Sequence, residues 1–452
     1  RRPSTPSLPA GRGRRRAPVA APLSRLSCLA CGASHGVDEV LTECPTCGGL
    51  LEVLHDFASF GMSGREWRDL FDRRRSALPN AETAAFERSG VWRYREHVFP
   101  ALPPGEIVSK PEGSTNLYRC RGIGKELDLT RLFVKHEGEN PTLSFKDRGM
   151  TVGVSWARRL GRTDVVCAST GDTSAALASY AAEVPGMRSV VLLPEAKITG
   201  EQLSQALHHG ALTLGLATDF DGCMRIVADL ARTRPVYLLN SKNPVRIEGQ
   251  KTIGQEAIHD LGWEVPDWFV VPVGNAGNVS AIGKGIREWV DLGVIGKRPR
   301  IAGAQAEAAD PFYRSWLTGF SERVTRTADE TEASAIRIGA PVSHPKARRE
   351  IELSNGLVAR VTEAELMEAA ALANRHGLAI CPNSAVALAA AAKLRREGAI
   401  GRDETVVVVA TAHAIKFSGA AVRYHGSGAR FSNPPRSLPA SLEAVTAALE
   451  GR

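Results

Sequence analysis

A lysine in apolar surroundings is the first residue in this chain that invites chemistry. In Ser144-Phe145-Lys146-Asp147-Arg148-Gly149-Met150, Phe145 precedes Lys146 and an apolar stretch from Met150 to Trp156 follows. An ammonium held away from water loses the hydration that stabilises its charge. Its pKa falls, and the neutral amine becomes a nucleophile toward an aldehyde cofactor. The plain alternative is a surface ammonium paired with Asp147, and the motif alone does not choose between the two.

Two further segments suit anions. Gly274-Asn275-Ala276-Gly277-Asn278 follows Phe269-Val270-Val271-Pro272. Its glycines let backbone N–H groups approach a phosphate, and a helix starting there adds a favourable dipole. The same residues also make an ordinary Gly/Asn turn. Ser169-Thr170-Gly171-Asp172-Thr173-Ser174 offers hydroxyls and backbone donors ahead of an Ala-rich segment. It suits a carboxylate or a phosphate, but simple N-capping by Thr170 or Asp172 would use the same groups. Thr411 closes the β-branched run from Thr405 to Val409 and, taken alone, carries no signal.

The elements that must hold these segments are legible. Runs apolar on both faces, at 165–168, 189–193, 269–271 and 405–409, read as buried parallel strands. Helical patterns lie between them. One is marked by a capping box at Thr362 and Glu365, with Leu366, Ala369, Ala370 and Ala373 on one face and Gly377 as its stop. Such alternation predicts a doubly wound α/β fold, whose ligands sit at the carboxyl ends of the strands. The loops singled out above all fall at that edge.

Cys28-Leu29-Ala30-Cys31 and Cys44-Pro45-Thr46-Cys47 form two C-x-x-C knuckles. Four thiolates at this spacing can close a tetrahedral zinc site, and with no open position it would be structural. A relic knuckle without metal is the plain alternative. His35 and His55 read as surface or packing residues. The other four cysteines are scattered, as in a reduced, cytoplasmic enzyme.

Length bounds the rest: 452 residues imply more than one domain. The net charge of +8 raises nucleic-acid binding, but its distribution argues against it. Seven arginines precede Cys28 and no acidic residue precedes Asp38, so the remainder of the chain carries only +1. Residues 1–27 read as a disordered basic tail, or as an organelle transit peptide. No run of about 18 apolar residues points to a membrane span.

Taken together, the segments resemble a family. Gly113-Ser114-Thr115-Asn116-Leu117, the Lys146 and Ser169 motifs, Glu248-Gly249-Gln250-Lys251-Thr252, residues 274–278 and Thr411-Ala412-His413 occur in the order seen in threonine synthases of fold type II. These are pyridoxal 5'-phosphate (PLP) enzymes. Trp67-Arg68-Asp69-Leu70-Phe71-Asp72, Asp219-Phe220-Asp221-Gly222-Cys223-Met224 and Arg430-Phe431-Ser432-Asn433-Pro434-Pro435 are similar to the plant-type branch, and the likeness spans about 400 residues.

The resemblance implies two doubly wound parallel-sheet domains with the site between them. It divides the chain into a zinc-ribbon-like module at 28–55, the first part of a large domain at 56–160, a small mobile domain at 161–255 and the rest of the large domain at 256–452. Lys146 matches the lysine that bonds the cofactor. Gly274, Asn275, Ala276, Gly277 and Asn278 match the loop around its phosphate, and Thr411 matches the partner of its ring nitrogen. Asp172 stands where many relatives have an asparagine facing the ring oxygen, and a carboxylate there would repel a phenolate. Ser169, Thr170 and Thr173 match positions holding the substrate carboxylate, and Asn240, Ser241 and Arg246 resemble the group that receives its phosphate.

The resemblance implies a homodimer acting on a small-molecule substrate, converting O-phospho-L-homoserine and water to L-threonine and phosphate. Relatives on the same scaffold leave alternatives: a serine or threonine dehydratase, or a phosphoserine-using synthase such as a cysteate synthase. A non-catalytic zinc-ribbon binding protein is a third reading, which an intact lysine and cofactor loop oppose.

Overall fold

The computed structural model describes residues 23–77, 86–169, 171–195 and 200–450. Three short strands come first: β1 (Ser24–Cys28), β2 (Ser34–Gly36) and β3 (Leu51–His55), paired antiparallel in the order β2–β1–β3. This corrects one boundary, because residues 24–27, expected within the tail, form the central strand of the module. Leu26 faces its core fully buried, an apolar residue that the arginine-rich composition around it obscured.

Two sheets form the body. β4 (Leu117–Arg119) and β5 (Arg131–His136) belong to the first. The second is built from β6 (Asp164–Ala168), β7 (Arg188–Pro194), β8 (Leu212–Leu216) and β9 (Val236–Leu238). The chain then returns to the first sheet with β10 (Trp268–Pro272), β11 (Arg300–Ala306), β12 (Leu357–Val361) and β13 (Thr405–Ala410). The orders are β12–β11–β10–β13–β5–β4 and β8–β7–β6–β9. Pairing is parallel throughout both, except that the short edge strand β4 runs antiparallel to β5.

Every residue of β10 and β13 is buried, as their two-sided apolar sequences require. The Ala-rich helix Pro382–Arg396 packs directly on β10, β11 and β13. The capping box at Thr362 and Glu365 is formed on helix Glu363–Arg375, and Gly377 follows its end at φ +83°. A second capping box, Ser63 with Glu66, starts helix Gly64–Ser76.

Two helices cross unusually closely. A Cβ on Gly249 would sit 1.7 Å from the Arg148 carbonyl oxygen, and one on Gly149 would meet the Arg246 carbonyl and Gln250 amide at 2.9 Å. Glycine at both positions lets helix Lys146–Arg159 and helix Val245–Gln250 touch backbone to backbone. Lys146 and Arg246 thereby come to one place.

The module docks on helix His344–Leu353. Lys346 Nζ donates to the Leu51 carbonyl at 2.5 Å, and Arg349 grips Glu52 at 2.9 and 2.8 Å. Among the described residues no helix is long and apolar enough to cross a membrane.

Candidate active site

Four segments leave the carboxyl ends of parallel strands and converge. They are the stretch after β5 that leads to Lys146, the turn after β6 that reaches Asp172, residues 274–278 after β10, and Thr411 after β13. Backbone bonds fix two of them together. The Phe145 N–H donates to the Thr411 carbonyl at 2.9 Å, and the His413 N–H donates to the Leu143 carbonyl at 3.1 Å. They enclose a narrow cleft of about 90 Å³.

Lys146, Asp172, Ser241, Arg246, Thr411 and all five residues 274–278 line that cleft. Lys146 is half-buried because its side chain forms part of the wall, with Nζ 4.3 Å from the Phe145 ring centroid. Burial, seconded by the Arg246 charge and opposed by Asp172, holds its amine down to about 8. A lysine with a lowered pKa beside an aromatic ring is suited to bond an aldehyde.

Arg246 is 2% exposed. Its Nη1 donates to the Leu239 carbonyl at 3.0 Å, while Nε and Nη2 have no partner among the described residues. Leaving two guanidinium donors buried and unmet is costly, and an anion in the cleft would satisfy both. Burial brings its pKa down to about 10.

Residues 274–278 open helix Gly277–Asp291, whose N-cap Ala276 sits at φ +63° and supplies no side-chain cap. Asn275 is pinned from behind: its carbonyl accepts from Ser343 N at 3.0 Å and its side-chain oxygen from Val342 N at 3.4 Å. Both polar atoms of the Asn278 side chain lack partners among the described residues. An uncapped helix start with such a side chain is suited to a phosphate.

Not every expected residue reaches the cleft. Asn240 is spent elsewhere: its amide oxygen accepts from Ala168 N at 3.0 Å and its nitrogen donates to Ala168 O at 2.8 Å. It staples β6 to the chain after β9. Ser169 and Thr173 also stay out of the wall; the Ser169 hydroxyl accepts from Gly171 N at 3.3 Å. Thr170 lies outside the described residues. The N-cap of helix Asp172–Ala181 is Gly171, so Asp172 is not a cap; its carboxylate pairs instead with Lys416 at 2.8 Å.

Sequence reasoning missed several residues. Gln250, Ile247, Phe145, Ile336 and Asn383 also line the cleft. Ser384 stands behind Thr411, accepting from its N–H at 2.8 Å with the two hydroxyls 3.2 Å apart. Asn383 and Ser384 open helix Pro382–Arg396, and a polar pair at the start of an alanine-rich helix was the available signal.

The family profile described as "Pyridoxal-phosphate dependent enzyme" matches residues 108–412. Threonine synthase 2, chloroplastic, of Arabidopsis thaliana is 43% identical over 425 residues, covering 91% of this chain and 81% of that one. Threonine synthase of Methanocaldococcus jannaschii is 44% identical over 397 residues, or 88% and 94%. This chain belongs to the pyridoxal-phosphate dependent enzyme family, among the threonine synthases. Solved structures share its fold. Threonine synthase from Escherichia coli matches with a TM-score of 0.68 at 19% identity, over 94% of this chain and 99% of that one. The processed form of threonine deaminase isoform 2 from Solanum lycopersicum matches at 0.60 and 18%, over 73% and 92%.

The cysteine module has its own candidate metal centre. One ligand atom from each of Cys28, Cys31, Cys44 and Cys47 lies within 4.8 Å of the others. The Cys28–Cys47 and Cys31–Cys44 sulfurs are 3.5 and 3.7 Å apart, near the ~3.8 Å that 2.3 Å zinc–sulfur bonds give in a tetrahedron. His35 Nε2 approaches Cys44 Sγ at 3.7 Å, and His55 is fully buried away from the cluster.

Proposed function

We infer that this chain is a threonine synthase, converting O-phospho-L-homoserine and water into L-threonine and inorganic phosphate. Arg246 is the observation that carries the reading. In a chain 43–44% identical to threonine synthases, Arg246 lines the cleft with Ser241 and carries two buried guanidinium nitrogens without partners among the described residues. A phosphate ester offers the oxygens such a fork grips. Serine or threonine, the substrates of a dehydratase, would leave both donors buried and unpaired.

The residues present fit PLP: an amine held near neutrality at Lys146, an uncapped helix start at 274–278, and a neutral hydroxyl at Thr411. When bound, PLP supplies the electron sink that makes carbon-bound protons of the amino acid removable. Lys146 is the group placed to take and return the α-proton. Arg246 and Ser241 hold the ester phosphate and stabilise the charge that gathers on the departing oxygen. Ser384 orients Thr411 from behind. Phe145, Ile247 and Ile336 supply apolar wall that limits bulk water.

We also assign the four cysteines to one structural zinc ion, which leaves no coordination position open for substrate.

Offering the holoenzyme O-phospho-L-homoserine, O-phospho-L-serine, L-serine and L-threonine in turn separates the readings. Stoichiometric phosphate and threonine from the first alone is the expected result. Turnover of phosphoserine in preference, or a keto acid from an unphosphorylated substrate, would move the chain to another reaction on this scaffold.

A further inference from the structure

Among the described residues Asp172 is the one acidic side chain in the wall of a cleft otherwise built for anions. Lys416 answers it. Its Nζ lies 2.8 Å from Asp172 Oδ1, and the two side chains are 12% and 10% exposed. The two residues come from different sheets. Asp172 begins the helix after β6, whereas Lys416 sits in the 3-10 turn Ala414–Phe417 after β13. Lys416 also donates to the Thr142 carbonyl at 2.9 Å. Thr142 in turn donates through its N–H to Asp147 at 2.7 Å, and through its hydroxyl to the same carboxylate. The lysine thus ties the first turn after β6 to the segment that delivers Lys146.

We propose that Lys416 is a positioning residue of this cleft: it bridges the two sheets to neutralise Asp172, keeping the site receptive to an anionic cofactor and substrate. The inference rests on the PLP reading above. PLP brings a phosphate, and the proposed substrate brings a phosphate and a carboxylate. A lone carboxylate in a poorly hydrated cleft repels each of them. Paired with Lys416 it adds shape and hydrogen-bonding capacity at almost no net charge. Removing one member of a buried pair leaves the other uncompensated, which is costlier than removing both. The charge on Asp172, not its bulk, is therefore what makes Lys416 necessary.

The test compares wild type, K416M, D172N and the K416M/D172N double variant. PLP dissociation constants are measured by equilibrium dialysis, with visible spectra and circular-dichroism melts. K416M should bind PLP about tenfold or more weakly, a difference of roughly 1.4 kcal/mol. D172N, which keeps the shape, should bind at least as tightly as wild type. The double variant should recover to within about threefold of wild type, because its sites are coupled. K416R, retaining the charge, should stay near wild type. Unchanged PLP affinity in K416M, or a double variant as weak as K416M, would overturn the proposal. If K416M fails to fold, a D172N protein that binds PLP more weakly than wild type would do the same. Wild-type protein that takes up no PLP would instead overturn the cofactor reading itself, and this inference with it.

Discussion

His55 Nε2 and Glu248 Oε2 lie 3.0 Å apart in a site closed to water, joining the last strand of the cysteine module to the helix that carries Arg246. Glu248 also accepts from Lys251 at 2.6 Å and Lys284 at 2.7 Å, and the His55 ring bonds the Ser24 hydroxyl at 2.8 Å. The module is therefore part of the wall behind the cleft and not an appendage.

That contact sets an acid limit on stability. Burial pushes His55 down to about 4, against about 6.5 for an ordinary histidine. Protons then bind the unfolded chain more readily than the folded one. The stabilisation is complete above about pH 6.5 and is lost as the pH falls toward 4. Urea midpoints measured from pH 7 to 4.5 should decline. A His55→Gln variant, which keeps a donor but cannot titrate, should decline less steeply. His97 and His344 are also pushed down, to about 3 and about 4, so some slope remains. Equal slopes in both proteins would contradict this account.

Metal analysis should find one zinc per chain. Cys31→Ser, or a strong chelator, should lower the melting temperature and raise KM for O-phospho-L-homoserine, since the module braces the helix bearing Arg246. Protein purified without zinc that melts and turns over like the metal-bound form would refute the structural role.

Arg246→Lys keeps a positive charge but loses the planar fork. With phosphorylated substrate, kcat/KM should fall ~10²–10³-fold, as when a single preorganised donor to a developing oxyanion is removed. The visible band of bound PLP should persist. A loss below about threefold would show that the two unmet donors face nothing that reacts.

How far could the sequence be read? Lys146, residues 274–278 and Thr411 were legible because each directly follows a strand or loop whose pattern is local. Ser241 lines the cleft, while its neighbour Asn240 bonds Ala168, a partner 72 residues away that no local pattern marks. Ser384 and Lys416 went unnoticed for the same reason: their importance lies in what they touch across the fold, Thr411 in one case and Asp172 in the other. The glycine crossing of Gly149 and Gly249 also depends on two distant segments meeting.

The lowered pKa of Lys146 has its own consequence. Only the neutral amine attacks an aldehyde, and burial holds the group at about 8. The rate at which apoprotein takes up PLP should therefore rise with pH and level off above about 8. A rise still steep near pH 10, as for a solvated lysine, would mean the amine is not buried as described.

The central claim is tested most directly by comparing wild type with Lys146→Ala. Visible absorbance is recorded, and phosphate and threonine are measured together from O-phospho-L-homoserine. The account predicts a yellow wild type that releases the two products in equal amounts, and a folded variant that shows no such band and releases neither. A colourless wild type that stays colourless with added PLP, or a variant that still makes threonine, would contradict it.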